Sequence, residues 1–192
     1  MAAINTMRER APDDAKLREL ILYISRQSDG DTAFSSVKLN KLLFLADFLA
    51  FLKIEQAITW QPYVRQTDGP APARLNRIID QMAENRELAM RVSNVYGNPQ
   101  QRPIALTEPN LGMFSGEEIA LVDRVISDCW GVTASKISDA SHDFIGWRLA
   151  ALDELIPYET ALIGSRPPTR DEIARGQELD SPARSTLAAH VA

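Results

Sequence analysis

Hydrophobic residues are unevenly spread along this chain. They crowd into the stretch from Ser35 to Glu55, SSVKLNKLLFLADFLAFLKIE. Leu39, Leu42, Leu43 and Ala46 recur at i, i+3, i+4 and i+7, the spacing of one helix face, and the row runs on through Leu49, Ala50 and Lys53. A second row, Phe44, Leu45, Phe48, Phe51 and Leu52, makes the helix apolar round most of its circumference. Such a helix belongs in the middle of a core. Ser35 or Ser36 can cap its start by accepting from a free backbone N–H. Lys38, Lys41, Asp47 and Lys53 interrupt it, so it lacks the roughly 18 unbroken apolar residues of a membrane span. The pattern predicts a central helix in a soluble domain.

The flanking patterns place the other elements. Residues 1–12 read as a flexible leader. A helix from Asp13 to Gln27 presents Leu17, Leu20, Ile21 and Ile24, with Asp13 or Asp14 as its cap. Tyr63 to Gln66 reads as a short strand after Pro62, and Asp68-Gly69-Pro70 as a turn. Pro70 or Pro72 then suits the first turn of a third helix, which runs to about Asn85 with Leu75, Ile78, Ile79 and Met82 on one face. From Leu88 the period shifts towards two, and residues 88–107 read as a hairpin with a longer loop. With the strand near Val64 this predicts a three-stranded sheet. Ser115-Gly116-Glu117-Glu118 is a capping box that opens a helix ending near Gly131. Thr133 starts another. Trp147 to Leu155 and Ile156 to Thr160 suggest short helical turns. Thr169-Arg170-Asp171-Glu172 is a second capping box, opening a helix to about Leu179 before a disordered tail. The fold class is therefore mainly α (α+β): a single compact helical domain at 13–165, with a small three-stranded antiparallel sheet or hairpin, followed by a C-terminal helix and tail at 166–192.

Composition narrows the chemistry. Apolar residues are 45% and charged residues 24% of 192, ordinary for a globular protein. Cys129 is the lone cysteine, so there is neither an intramolecular disulfide nor a thiolate cluster. No apolar signal run opens the chain, which makes the cytoplasm the expected location. The net charge is −5, and residues 113–192 carry 13 acidic against 7 basic side chains. There is no basic run of the kind that holds nucleic acid. An acidic face suits solubility, or a basic protein partner.

Candidate chemistry is sparse. His142 lies near Asp139 and Asp143, but the other histidine, His190, falls in the tail, and no nucleophile or oxyanion site accompanies either. A catalytic metal site needs about three protein ligands. We expect no metal and no cofactor, and a hydrogen-bonding or capping role for His142. The acidic pairs Glu117-Glu118, Asp153-Glu154 and Asp171-Glu172 read as helix-end charges. Cys129 reads as a buried small hydrophobe. Phosphate-loop, dinucleotide, nucleophile-elbow and zincin motifs are absent.

Three segments carry a family resemblance. Lys38-Leu39-Asn40-Lys41-Leu42-Leu43-Phe44 resembles the K-L-x-K-L-L-[YF] signature of the Panacea domain family, the SocA-like antitoxins and phage-associated GepA-like proteins, formerly a domain of unknown function. Ile58-Thr59, Tyr63 and Gly69-Pro70 resemble its second element, in which I-T leads to an aromatic and then G-P. His142 and Trp147 resemble its closing H-x(3–4)-W. Ile156-Pro157-Tyr158-Glu159 looks like a subgroup feature. The chain departs from the pattern at Trp60, where glycine is frequent, at Asp68, where an aromatic is frequent, and over Lys53–Ala57, which lacks the usual glycine. The resemblance implies an antitoxin, not an enzyme. Its partner would be a cognate toxin encoded nearby, blocked directly or handed to a ClpXP-type protease. Leu39, Leu42, Leu43, Gly69, Pro70, His142 and Trp147 would be structural. Trp60, Tyr63 and Arg65, with an exposed edge at Lys38 and Lys41, are the expected partner contacts, and the acidic C-terminal part is a second candidate surface. The two lysines also suit snorkelling from a buried helix. A winged-helix-like DNA-binding regulator and a small enzyme using His142 are the alternative readings.

Overall fold

The computed structural model describes residues 11–95 and 98–164. The start of the expected leader, the hairpin tip Tyr96–Gly97, and the expected C-terminal helix and tail with His190 lie outside the described residues. The fold is mainly α with small antiparallel sheets.

α1 (Asp14–Gln27) starts at Asp13, whose carboxylate accepts from Lys16 N at 2.8 Å. α2 (Ser36–Ile54) starts at Ser35, whose hydroxyl accepts from Lys38 N at 3.2 Å. α2 packs against α1, the later helices and the first sheet. Its two apolar rows serve different cores. Leu39, Leu42, Leu43, Ala46 and Ala50 join an aliphatic core with Leu17, Leu20, Ile21, Ile78, Met82 and Val122. Phe44 and Phe48 join a second, aromatic core with Tyr63, Ala150 and Ile156. Each fully buried side chain of this size contributes about 1.5–3 kcal/mol.

α2 ends at Glu55, which takes the left-handed backbone region at φ +56°, and Trp60 does the same at φ +53°. Glycine was expected near both places. A non-glycine residue there costs roughly 1–2 kcal/mol.

β1 (Tyr63–Gln66) matches expectation. Gly69 to Pro72 does not lead straight into a helix: it forms β2 (Gly69–Pro72), and α3 (Leu75–Glu84) starts three residues later. The prolines are tolerated because β2 is an edge strand. Ala73 N–H donates to Pro62 O at 2.8 Å, and this phase turns the nitrogens of Pro70 and Pro72 to the free edge. β3 (Leu88–Val95) and β4 (Asn98–Ala105) form the expected hairpin in register Leu88↔Ala105, and the strands run up to Val95 and Asn98 where a longer loop was expected. Among the described residues they pair only with each other. The three-stranded sheet is β2-β1-β5, closed by β5 (Leu155–Ile156) through Tyr63↔Ile156 and Val64↔Leu155. Two residues are too few to show a period, so β5 read as helix.

α4 (Gly116–Asp128) has both bonds of the expected capping box: Glu118 N to Ser115 Oγ at 3.1 Å and Ser115 N to Glu118 Oε2 at 2.8 Å. α5 (Ala134–His142) starts at Thr133, and α6 (Ile145–Leu149) precedes β5. Asp153-Glu154 sits in the turn between α6 and β5, with Asp153 at φ +63°, and not at a helix end. Asp171-Glu172 lies outside the described residues. Among the described residues no helix is long and apolar enough to cross a membrane.

Candidate functional site: the junction beneath the first hairpin turn

The three segments that carry the family resemblance are far apart in sequence and meet at one place, the β1–β2 turn around Asp68. From below comes Lys41 of α2, whose Nζ donates to Asp68 O. From the side comes α5, whose Ser138 Oγ donates to the same carbonyl at 2.8 Å. Beyond it, Trp147 of α6 donates from Nε1 to Gln66 O at 3.1 Å. Gly69 closes the turn at φ +105°, and a Cβ there would lie 2.5 Å from Ser141 Oγ and 2.6 Å from Lys41 Nζ. Glycine is thus required twice, for backbone and for space.

Lys38 and Lys41 do not form an exposed edge. They are 1% and 2% exposed. The reason is chemical: each ammonium finds oxygen inside. Lys38 Nζ donates to Asp31 Oδ2 at 2.6 Å, Cys129 O at 2.6 Å and Val132 O at 2.8 Å, which uses all three donors. Two of those acceptors are carbonyls at and just past the C-terminus of α4, where a cation is favoured. Lys41 has the Asp68 carbonyl, and burial pulls its pKa from 10.5 down to about 8 against the opposing pull of the Asp68 charge.

Asp47 reads in sequence only as a charge interrupting the apolar run. It is fully buried, and accepts from Thr59 N at 2.7 Å, Thr59 Oγ1 at 2.5 Å and Tyr63 OH at 2.8 Å. Burial still holds its carboxyl above the ordinary range, and raises Tyr63 well above its own. The signal that could have found this network was present: a buried charge must be paired, and the I-T element supplies the threonine. Arg102 gave no such signal. It is 7% exposed and donates to four carbonyls, Ser28, Asp29, Asp31 and Phe34, where α1 runs into the next loop.

Of the expected contact residues, Tyr63 is also interior, at 1% exposure. Trp60 is half-buried, against Phe51 at 6.0 Å and Tyr158 at 5.4 Å between centroids. Arg65 lies over Trp147 at 4.4 Å and donates from Nη1 to Ala150 O at 2.7 Å. His142 stacks on the same Trp147 at 4.1 Å and 16°. Its Nε2 is enclosed without a hydrogen-bond partner, so the hydrogen-bonding role expected for this ring is not seen at Nε2, and no carboxylate supports it as an acid–base group there. Leu39, Leu42 and Leu43 are core residues, and Cys129 is buried. Among the described residues no group of three or more His, Cys, Asp or Glu side chains could hold a metal ion. The arrangement ties an apolar helix to a turn through a buried ammonium, a serine hydroxyl and an indole N–H.

The model of the antitoxin SocA-like, Panacea domain family matches residues 39–148, more than half of the 192-residue chain and a span that holds Lys41, Asp68, Gly69, Ser138, Ser141 and Trp147. No curated protein and no solved structure matches.

Proposed function

Because the chain belongs to the SocA-like antitoxin family of Panacea domains, we propose that it neutralises a protein toxin encoded beside it by binding that toxin, with hand-over to a ClpXP-type protease as one route of removal. The observation that supports this most is the interior use of the family residues. Lys38, Lys41, Gly69 and Trp147 are each bonded to, or pressed against, this chain's own atoms. The shared signature builds a scaffold, and partner choice is left to the surface. His142 packs as a ring and has no catalytic part in this reading. A DNA-binding reading draws less support, since exposed acids and not a basic stripe dominate residues 139–164. The folded unit is taken as 13–165.

The test is growth under co-expression with the adjacent reading frame. That frame alone should arrest growth, and this chain should relieve the arrest. A stable complex on pull-down indicates direct block, and loss of the toxin indicates protease delivery. A neighbour that is harmless, or toxic but not relieved, refutes the proposal.

A further inference from the structure

The segment that closes the fold leaves an unusual amount of apolar surface uncovered. Leu149, Leu152, Leu155, Leu162 and Ile163 are 72%, 63%, 60%, 62% and 51% exposed. A single exposed leucine needs no explanation, but a cluster does. These five fall on one short stretch folded back on itself. α6 packs against the turn Tyr158–Leu162 so closely that a Cβ on Gly146 would collide with Thr160, Phe144 and Ile156. Leu155 continues the cluster onto the sheet, where it pairs with Val64, which in turn pairs with Ala71. Val64 and Ala71 line an open pocket of about 400 Å³, with Val37, Lys41, Gln66 and Asp153 also on its wall.

Acids are in excess around this surface: from 139 to 164 the exposed charges are Asp139, Asp143, Asp153, Glu154 and Glu159 against Arg148, and the half-buried Arg65, over Trp147 and bonded to Ala150 O, is the other cation beside them. We infer that the surface of Leu149, Leu152, Leu155, Leu162 and Ile163, with its acidic rim and the adjoining pocket, is where this chain docks a basic protein partner, the toxin of the reading above, on which this inference rests. Buried anchors inside a polar rim are where binding energy concentrates, and opposite potentials speed the encounter. Two other occupants fit the charge less well. Residues 165–192 follow in sequence but carry four basic and four acidic side chains, so they gain little from an acidic rim. A second copy in a two-fold contact would set the same acids against themselves.

The experiment uses the full chain and the purified product of the adjacent frame. Binding is measured at low and high salt, with light scattering and thermal melts of each variant alone. Leu152→Ser/Leu162→Ser is expected to weaken binding by about tenfold or more with an unchanged melting midpoint. Asp143→Lys/Glu159→Lys is expected to weaken binding at low salt and to flatten its salt dependence. If the wild type binds and relieves growth arrest while both variants keep full affinity, the docking surface is wrong and the antitoxin reading stands. If the charge variant binds more tightly, the partner is not basic and the inference fails. If the leucine variant melts lower, or loses a dimer, while its affinity is unchanged, the surface is covered by residues 165–192 or by a second copy, and the inference also fails. A wild type that neither binds nor relieves arrest removes the antitoxin reading itself.

Discussion

Lys38 and Lys41 stand one turn apart on the same helix and are equally buried, yet they sit in opposite electrostatic settings. Lys38 has a carboxylate and two helix-end carbonyls, one acceptor for each donor. Lys41 has a single turn carbonyl, and burial depresses its pKa to about 8. Burial alone therefore does not decide what an ammonium does. The number and charge of its acceptors decide it. Where they suffice, the group is a fixed ion that joins three segments. Where they fall short, the group is a cation held at some cost.

Three changes test that contrast. The largest effect is expected for Lys38→Met, which leaves Asp31 buried without its cation. A loss of roughly 3–5 kcal/mol follows from removing one partner of a buried pair, read by denaturant unfolding. A loss below about 1 kcal/mol would mean that Lys38 is no better held than Lys41. Next comes Gly69→Ala, which adds a methyl where Lys41 Nζ and Ser141 Oγ already lie and strains a φ of +105°. It should cost about 2 kcal/mol or more, and a near-neutral result would show that the turn can move off α5.

The smallest effect is expected for Lys41→Met, and it depends on pH. The folded chain releases the Lys41 proton near pH 8, whereas the unfolded chain keeps it to about 10.5. Between these values the unfolded state binds more protons, so wild-type stability should rise with pH over that window. Below pH 8 the charged form is carried in both states and the slope should vanish. The Met variant should lack the rise and be about as stable as wild type, or more so, at pH 7. Parallel stability curves for the two chains would show that Lys41 is as well satisfied as Lys38.

Most of the helical fold was legible in the sequence because helices announce themselves locally. The two-row pattern of α2, Asp13, Ser35 and Thr133 as caps, and the Ser115–Glu118 box each act within a few residues. What stayed hidden depended on partners far along the chain. Gly69 to Pro72 looks like a helix entry until an edge strand is known to lie there, and Leu155-Ile156 becomes a strand only because β1 is beside it. Lys38 and Lys41 looked like surface charges on a buried helix. Their burial needs Cys129, Val132 and Asp68, which no spacing rule connects to them. The junction could be seen as three motifs, but that the motifs touch one turn could not.

The pairing of Tyr63 with Ile156 has a consequence for the order of events during synthesis. The two strands are about ninety residues apart, and a ribosome adding about 5–20 residues per second takes several seconds to cover that gap. For most of that interval Phe44 and Phe48 are already made, but Phe144, Ile156 and Tyr158, which complete the aromatic core, are not. The nascent chain thus carries a sticky phenylalanine face for seconds before its last third arrives to cover it. The final thirty residues of the described fold act as a cover fitted late, and a chain cut short before them would be an open, aggregation-prone fragment and not a smaller working domain.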